Sequence, residues 1–139
     1  MSVLIPSSSP PAPPKPRPRR TWNDKFRDAV RGLKLGVRGH ASFSVHFFFA
    51  MLVLATAVVL KCSLLEWCLL LGCIGLVLTA ELFNSAVETL FRGLGEEEKA
   101  RSWHSLDIAA GAVLLAGITA VVIGCLILVP KLAALFGWV

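Results

Sequence analysis

Beyond its first twenty-one residues the 139-residue sequence contains a single proline, Pro130, and charged side chains make up only 17% of the whole. So little charge, set against 55% hydrophobic residues, excludes the composition of an ordinary soluble domain of this size. The four cysteines, Cys62, Cys68, Cys73 and Cys125, form no CxxC pair and have no histidine at the spacing of a zinc site, which argues against metal-ribbon and redox motifs. They read as small apolar filler. A secretory leader is not expected either: a proline-rich tract opens the chain, and the first apolar run begins about forty residues in with no small-residue cleavage pattern beside it. That run is therefore expected to be kept.

What is present is hydrocarbon-seeking sequence, with a mean hydropathy of +0.71. Three apolar runs, at about 43–60, 64–91 and 108–129, are each long enough to cross a core of roughly 30 Å as a helix rising about 1.5 Å per residue. The fold class that follows is an all-α membrane protein with three transmembrane helices. Nine of the fourteen Lys and Arg residues lie ahead of the first run, from Lys15 to Arg38. Beside a membrane span this reads as a positive-inside signal with affinity for anionic lipid headgroups, in preference to nucleic acid. The N-terminus and the 92–106 loop, with Arg92, Lys99 and Arg101, are then cytoplasmic. Lys61 and the C-terminal end face the opposite side, with Lys131 standing against the charge bias.

Residues 1–21 hold seven of the eight prolines and a serine run, a composition expected to form a disordered basic tail. A Pro-rich ligand role for 10–18 is the alternative reading. From Trp22 the pattern changes: Trp22, Phe26, Val30, Leu33 and Val37 recur three or four residues apart, with basic residues between them. This predicts an amphipathic surface helix over about 22–39, the start of a membrane domain covering 22–139. It serves equally as a plain membrane anchor or as a neighbour of an active site. Short loops and the small residues Gly72, Gly75, Ala80, Ser85, Gly111, Ala112 and Gly117 favour a self-associated helical bundle. Trp67, Trp103 and Trp138 read as interface anchors.

The second run contains two acids, Glu81 and Glu88. Ionisable groups inside a span cost at least a few kcal/mol each near the bilayer centre, so their presence needs a reason. Positions 81, 84 and 88 fall within an arc of roughly 60° on a helix, so both carboxylates and the Asn84 amide share one face, the acids about 10 Å apart along the axis. That separation suits two tasks on one substrate: a cation held near water, and a proton taken deeper in. Interhelical hydrogen bonding and an ion or proton pathway are the other readings of such a stripe.

The run Ala80-Glu81-Leu82-Phe83-Asn84-Ser85-Ala86-Val87-Glu88 resembles the signature of the prokaryotic diacylglycerol kinase family, including its undecaprenol kinase branch. The likeness extends from about Phe26 to Lys131 and places Asp107 and the small residues after it where the family has a Lys-Asp segment. It implies a homotrimer in the bacterial inner membrane that passes the ATP γ-phosphate, with Mg²⁺, to the hydroxyl of a membrane lipid alcohol, diacylglycerol or undecaprenol. By the same resemblance Glu81 is the general base, Asn84 its polar neighbour, Glu88 a magnesium ligand and Asp107 a nucleotide-site residue. Phosphoryl transfer asks mainly for positioning and charge neutralisation, which such a pair of carboxylates can supply.

The sequence departs from the family at the nucleotide end. His40 stands where a metal-binding Glu is expected, Arg92 replaces an Asp after the second-helix Glu, and Leu106 replaces the Lys before Asp107. His40 is a candidate metal ligand through a ring nitrogen. Arg92, or else Lys99 or Arg101 in the loop, is the candidate phosphate clamp that supplies the cation lost at Leu106; Arg92 as plain positive-inside charge is the alternative. His46 resembles a histidine of the undecaprenol branch and is expected to hydrogen-bond inside the bundle. The contrasting function for the whole chain is a catalytically impaired relative that binds lipid or acts as a membrane scaffold.

Overall fold

The structure, a computed structural model, describes residues 21–38 and 41–138. The tail up to residue 20 and the candidate ligand His40 lie outside the described residues. Among the described residues the fold is entirely helical: α1 Trp22–Arg38, α2 Ala41–Val59, α3 Leu64–Arg92, α4 Glu96–Ser102 and α5 His104–Leu135.

The helices α1, α2, α3 and α5 each begin or end for a local reason. Thr21 caps α1: its hydroxyl accepts from the Asp24 backbone N–H at 3.3 Å, and the Asp24 carboxylate accepts from the Thr21 N–H at 3.1 Å. Ser63 and Glu66 form the same reciprocal box at the start of α3. Between α2 and α3 the chain turns through Lys61 at φ 49°. The Lys61 N–H donates to the Val58 carbonyl and the Cys62 N–H to the Ala57 carbonyl, both at 3.1 Å, the bond pattern of a Schellman cap. The same pattern closes α5, where Gly137 takes the left-handed position at φ 69° and Trp138 donates to Ala133. At Lys61 a side-chain-bearing residue occupies a position that favours glycine.

Three helices, α2, α3 and α5, are long and apolar enough to cross a membrane. α5 starts before and ends after the run 108–129 anticipated from hydropathy, and it continues through Pro130. Hydropathy marks only the part of a helix that lies in hydrocarbon, and a helix can extend into the interface at both ends. The 92–106 segment likewise contains α4, held by pairs along the helix between Lys99 and Glu96 at 2.9 Å and between Arg101 and Glu97 at 2.6 Å.

α3 is the central element. It packs most extensively on α5, receives α2 on another side, and carries α1 near its polar half. α1 reaches it at Gly36, where a Cβ would overlap the Leu82 side chain. At the other end of α3, Glu66 accepts an ion pair from Lys131 of α5 at 3.1 Å. Few side chains are buried within the chain; Phe43, Ala57, Leu70 and Ala116 form its apolar interior. Large apolar groups such as Phe48, Leu115 and Leu126 point outward, as lipid or further helices require of a membrane span.

Candidate active site

The polar stripe of α3 resolves into two neighbouring groups. Deeper in the chain, Glu81 is only 3% exposed. α2 supplies two polar neighbours: the exposed Ser42 hydroxyl donates to Oε1, and His46 Nε2 lies 3.7 Å from Oε2. Ser42 and His46 are four residues apart on α2, so one helix face brings both to the carboxylate. Burial keeps bulk water from Glu81, the Ser42 hydroxyl orients one oxygen, and His46 stands beside the other. An alcohol proton placed against such a carboxylate has an acceptor in hydrogen-bond reach.

Two turns further along α3, Glu88 is half-buried and engaged on both oxygens. The Asn84 amide donates to Oε1 at 3.0 Å, and the Arg92 guanidinium donates to Oε2 at 3.0 Å. All three lie on α3 four residues apart, so α-helical geometry alone assembles them. Asn84 thus bonds to Glu88, whereas the sequence placed it beside Glu81.

Among the described residues no three His, Cys, Asp or Glu side chains cluster as a metal site. The chemistry of Glu88 nevertheless suits magnesium, which binds through one or two carboxylates and completes its shell with water and substrate phosphate oxygens. The other sequence-derived candidates are carried by other helices. Lys99 pairs with Glu96 on α4, and Asp107 lies exposed in the first turn of α5.

Near the stripe, Ser42 escaped sequence reasoning, and the sequence marks Ser85 only as a small residue that lets helices approach. Ser42 looks unremarkable in an apolar helix, although its spacing from His46 marks a shared face. Ser85, one turn from Glu81 on α3, is buried with its hydroxyl unpaired among the described residues. His46 also lines an apolar groove of about 380 Å³ between α2, α3 and α5, with Phe49, Val53, Val77, Gly117 and Gly124 among its walls. Open space faces the Cα of both glycines.

Comparison with known proteins adds a family. The model of the prokaryotic diacylglycerol kinase family matches residues 27–128. The chain is 31% identical over 146 residues to a diacylglycerol kinase of Synechocystis sp., an alignment covering 97% of this chain and 81% of that protein. It is 31% identical over 107 residues to the undecaprenol kinase of Bacillus subtilis, covering 77% and 87% respectively. A diacylglycerol kinase of Escherichia coli is 30% identical over 98 residues, covering 70% and 80%. No solved structure matches the chain.

Proposed function

We propose, from the premise that this chain belongs to the prokaryotic diacylglycerol kinase family of ATP-dependent membrane lipid kinases, that it passes the ATP γ-phosphate to a diacylglycerol or undecaprenol hydroxyl at Glu81. The observation that carries this assignment is the buried Glu81 carboxylate with a hydroxyl donor already hydrogen-bonded to it. That is the geometry a general base needs toward an alcohol. His46 steadies the second oxygen, and the apolar groove that reaches His46 receives a hydrocarbon chain of the acceptor.

The nucleotide end is assigned to Glu88, Arg92, Asp107 and Lys99. Glu88 ligates the magnesium that escorts ATP, with His40 as a second candidate ligand. Bound there, the ion neutralises phosphate charge as it develops. Asn84 keeps one Glu88 oxygen oriented. Arg92 leaves the other to take up a phosphate oxygen, a role its planar fork of donors suits. Three chains form the working bundle in the bacterial inner membrane, with the N-terminus and α4 on the cytoplasmic side and the basic face of α1 against anionic headgroups.

The Arg92–Glu88 pair also supports a second reading, a lipid-binding or scaffold protein in which the guanidinium permanently occupies the metal-binding carboxylate. Phosphate transfer from labelled ATP in mixed micelles separates the two. The kinase reading expects labelled phosphatidic acid or undecaprenyl phosphate when each alcohol is offered alone with magnesium. No transfer to either alcohol with magnesium, manganese or zinc rejects it.

A further inference from the structure

The exposed Ser42 hydroxyl donates to the same carboxylate that the lipid hydroxyl must reach. Ser42 opens the membrane-crossing part of α2, and His46 Nε2 stands 3.7 Å from the other oxygen of Glu81. A hydroxyl nucleophile on a base, with the base oriented by a third side chain, is the general arrangement of an activated nucleophile. In this chain it is complete without any lipid.

We propose that Ser42 is an internal phosphoryl acceptor, modified by the chain's own kinase activity when no lipid alcohol occupies the site. The proposal rests on the reading of Glu81 as the base. In the step, Ser42 Oγ forms a bond to the γ-phosphorus of ATP, the bond from that phosphorus to the β–γ bridging oxygen breaks, and ADP leaves. The Oγ proton passes to Glu81 Oε1 and then to water. An acceptor lipid displaces the Ser42 hydroxyl from Oε1, so lipid and serine compete for one base and one phosphoryl group. Once formed, phosphoserine places a dianion against the Glu81 carboxylate and blocks the acceptor's place. The modified chain is therefore inactive toward lipid, and the kinase is silenced when its acceptor runs out.

The full chain, purified in detergent micelles without added lipid, is incubated with magnesium and γ-labelled ATP. Protein-bound label is mapped by mass spectrometry of its peptides. The expected result is phosphate on Ser42 of the unmodified chain, no label at this position in Ser42→Ala, and labelling slowed by at least about a hundredfold in Glu81→Gln, the scale of general-base loss. Added diacylglycerol or undecaprenol, whichever is phosphorylated, suppresses the labelling in proportion to its occupancy of the site. Mapping on the unmodified chain needs no variant to fold. Lipid phosphorylation with no phosphate on Ser42 in the lipid-free reaction overturns the proposal and leaves the kinase reading standing. Label confined to any other residue also overturns it. Absence of both lipid and protein transfer removes the kinase reading on which the proposal rests.

Discussion

Glu88 and Arg92 meet at 3.0 Å, and this contact sets the behaviour expected of the nucleotide end. The guanidinium neutralises the carboxylate; in the function we propose, bound ATP draws it onto phosphate. Loss of a hydrogen bond to a charged group costs about 1.5–3 kcal/mol. Arg92→Ala is therefore expected to raise the Michaelis constant for ATP roughly ten- to hundredfold, with a smaller change in that for the lipid. An unchanged ATP constant removes Arg92 from the clamp.

At this scale the sequence was legible where a residue was costly in its setting. Two acids in an apolar run draw attention to Glu81 and Glu88 because hydrocarbon penalises charge. Ser42 carries no such penalty, since a serine in a membrane helix can return its hydroxyl to its own backbone. Its pairing with Glu81, thirty-nine positions away, is a tertiary contact with no periodic trace. The bond from Asn84 to Glu88 was hidden for a different reason: helical spacing puts Asn84 within reach of both acids, and only the side-chain geometry chooses between them.

Among the elements, the α2–α3 turn holds stored strain at a named position. Lys61 takes a left-handed conformation that costs a residue with a side chain roughly 1–2 kcal/mol. Lys61→Gly is expected to raise stability by about 0.5–1 kcal/mol, part of the relief being offset by the greater freedom of glycine in the unfolded chain. Thermal denaturation in detergent micelles checks it, and a lower midpoint contradicts the strain argument.

The contact of α1 with α3 makes the opposite demand at Gly36, where an added Cβ meets Leu82. Gly36→Val is expected to loosen α1, costing about 1–3 kcal/mol if Leu82 cannot move aside. Faster amide hydrogen exchange along α1, with exchange in α5 unaltered, reports that loss. The amphipathic spacing of α1 announced a surface helix, but no pattern announced the close approach at Gly36. α4 went unnoticed because it is seven residues long, six of them polar, and has no apolar period. Its signal lay in the charges, Glu96 with Lys99 and Glu97 with Arg101.

Across the whole molecule, apolar surface far exceeds what one chain buries. Ala116, 6% exposed, is the single residue of α5 that the chain buries among those described, although α5 is 32 residues long. Lipid covers part of that surface, and other copies of the chain cover the rest in the trimer we propose. Native mass spectrometry from gentle detergent is expected to give three chains per particle; a monomer that retains lipid kinase activity rejects the trimer and leaves the site intact. The membrane class and the three apolar runs were legible in hydropathy because lipid imposes one requirement on every residue facing it. The way the helices pack was not, since hydrophobic residues face lipid and protein alike and mark neither.

These scales converge on one carboxylate. α2 and α3 bury Glu81, Ser42 donates to one of its oxygens and His46 lies 3.7 Å from the other, and in the function we propose the lipid alcohol loses its proton there. The most direct test is the single-turnover rate of phosphate transfer to lipid in the unmodified chain and in Glu81→Gln, with ATP binding measured on both. The account predicts a rate lower by about 10²–10⁴ in the variant, with ATP affinity unchanged. A Glu81→Gln chain that transfers phosphate to lipid at the unmodified rate contradicts it.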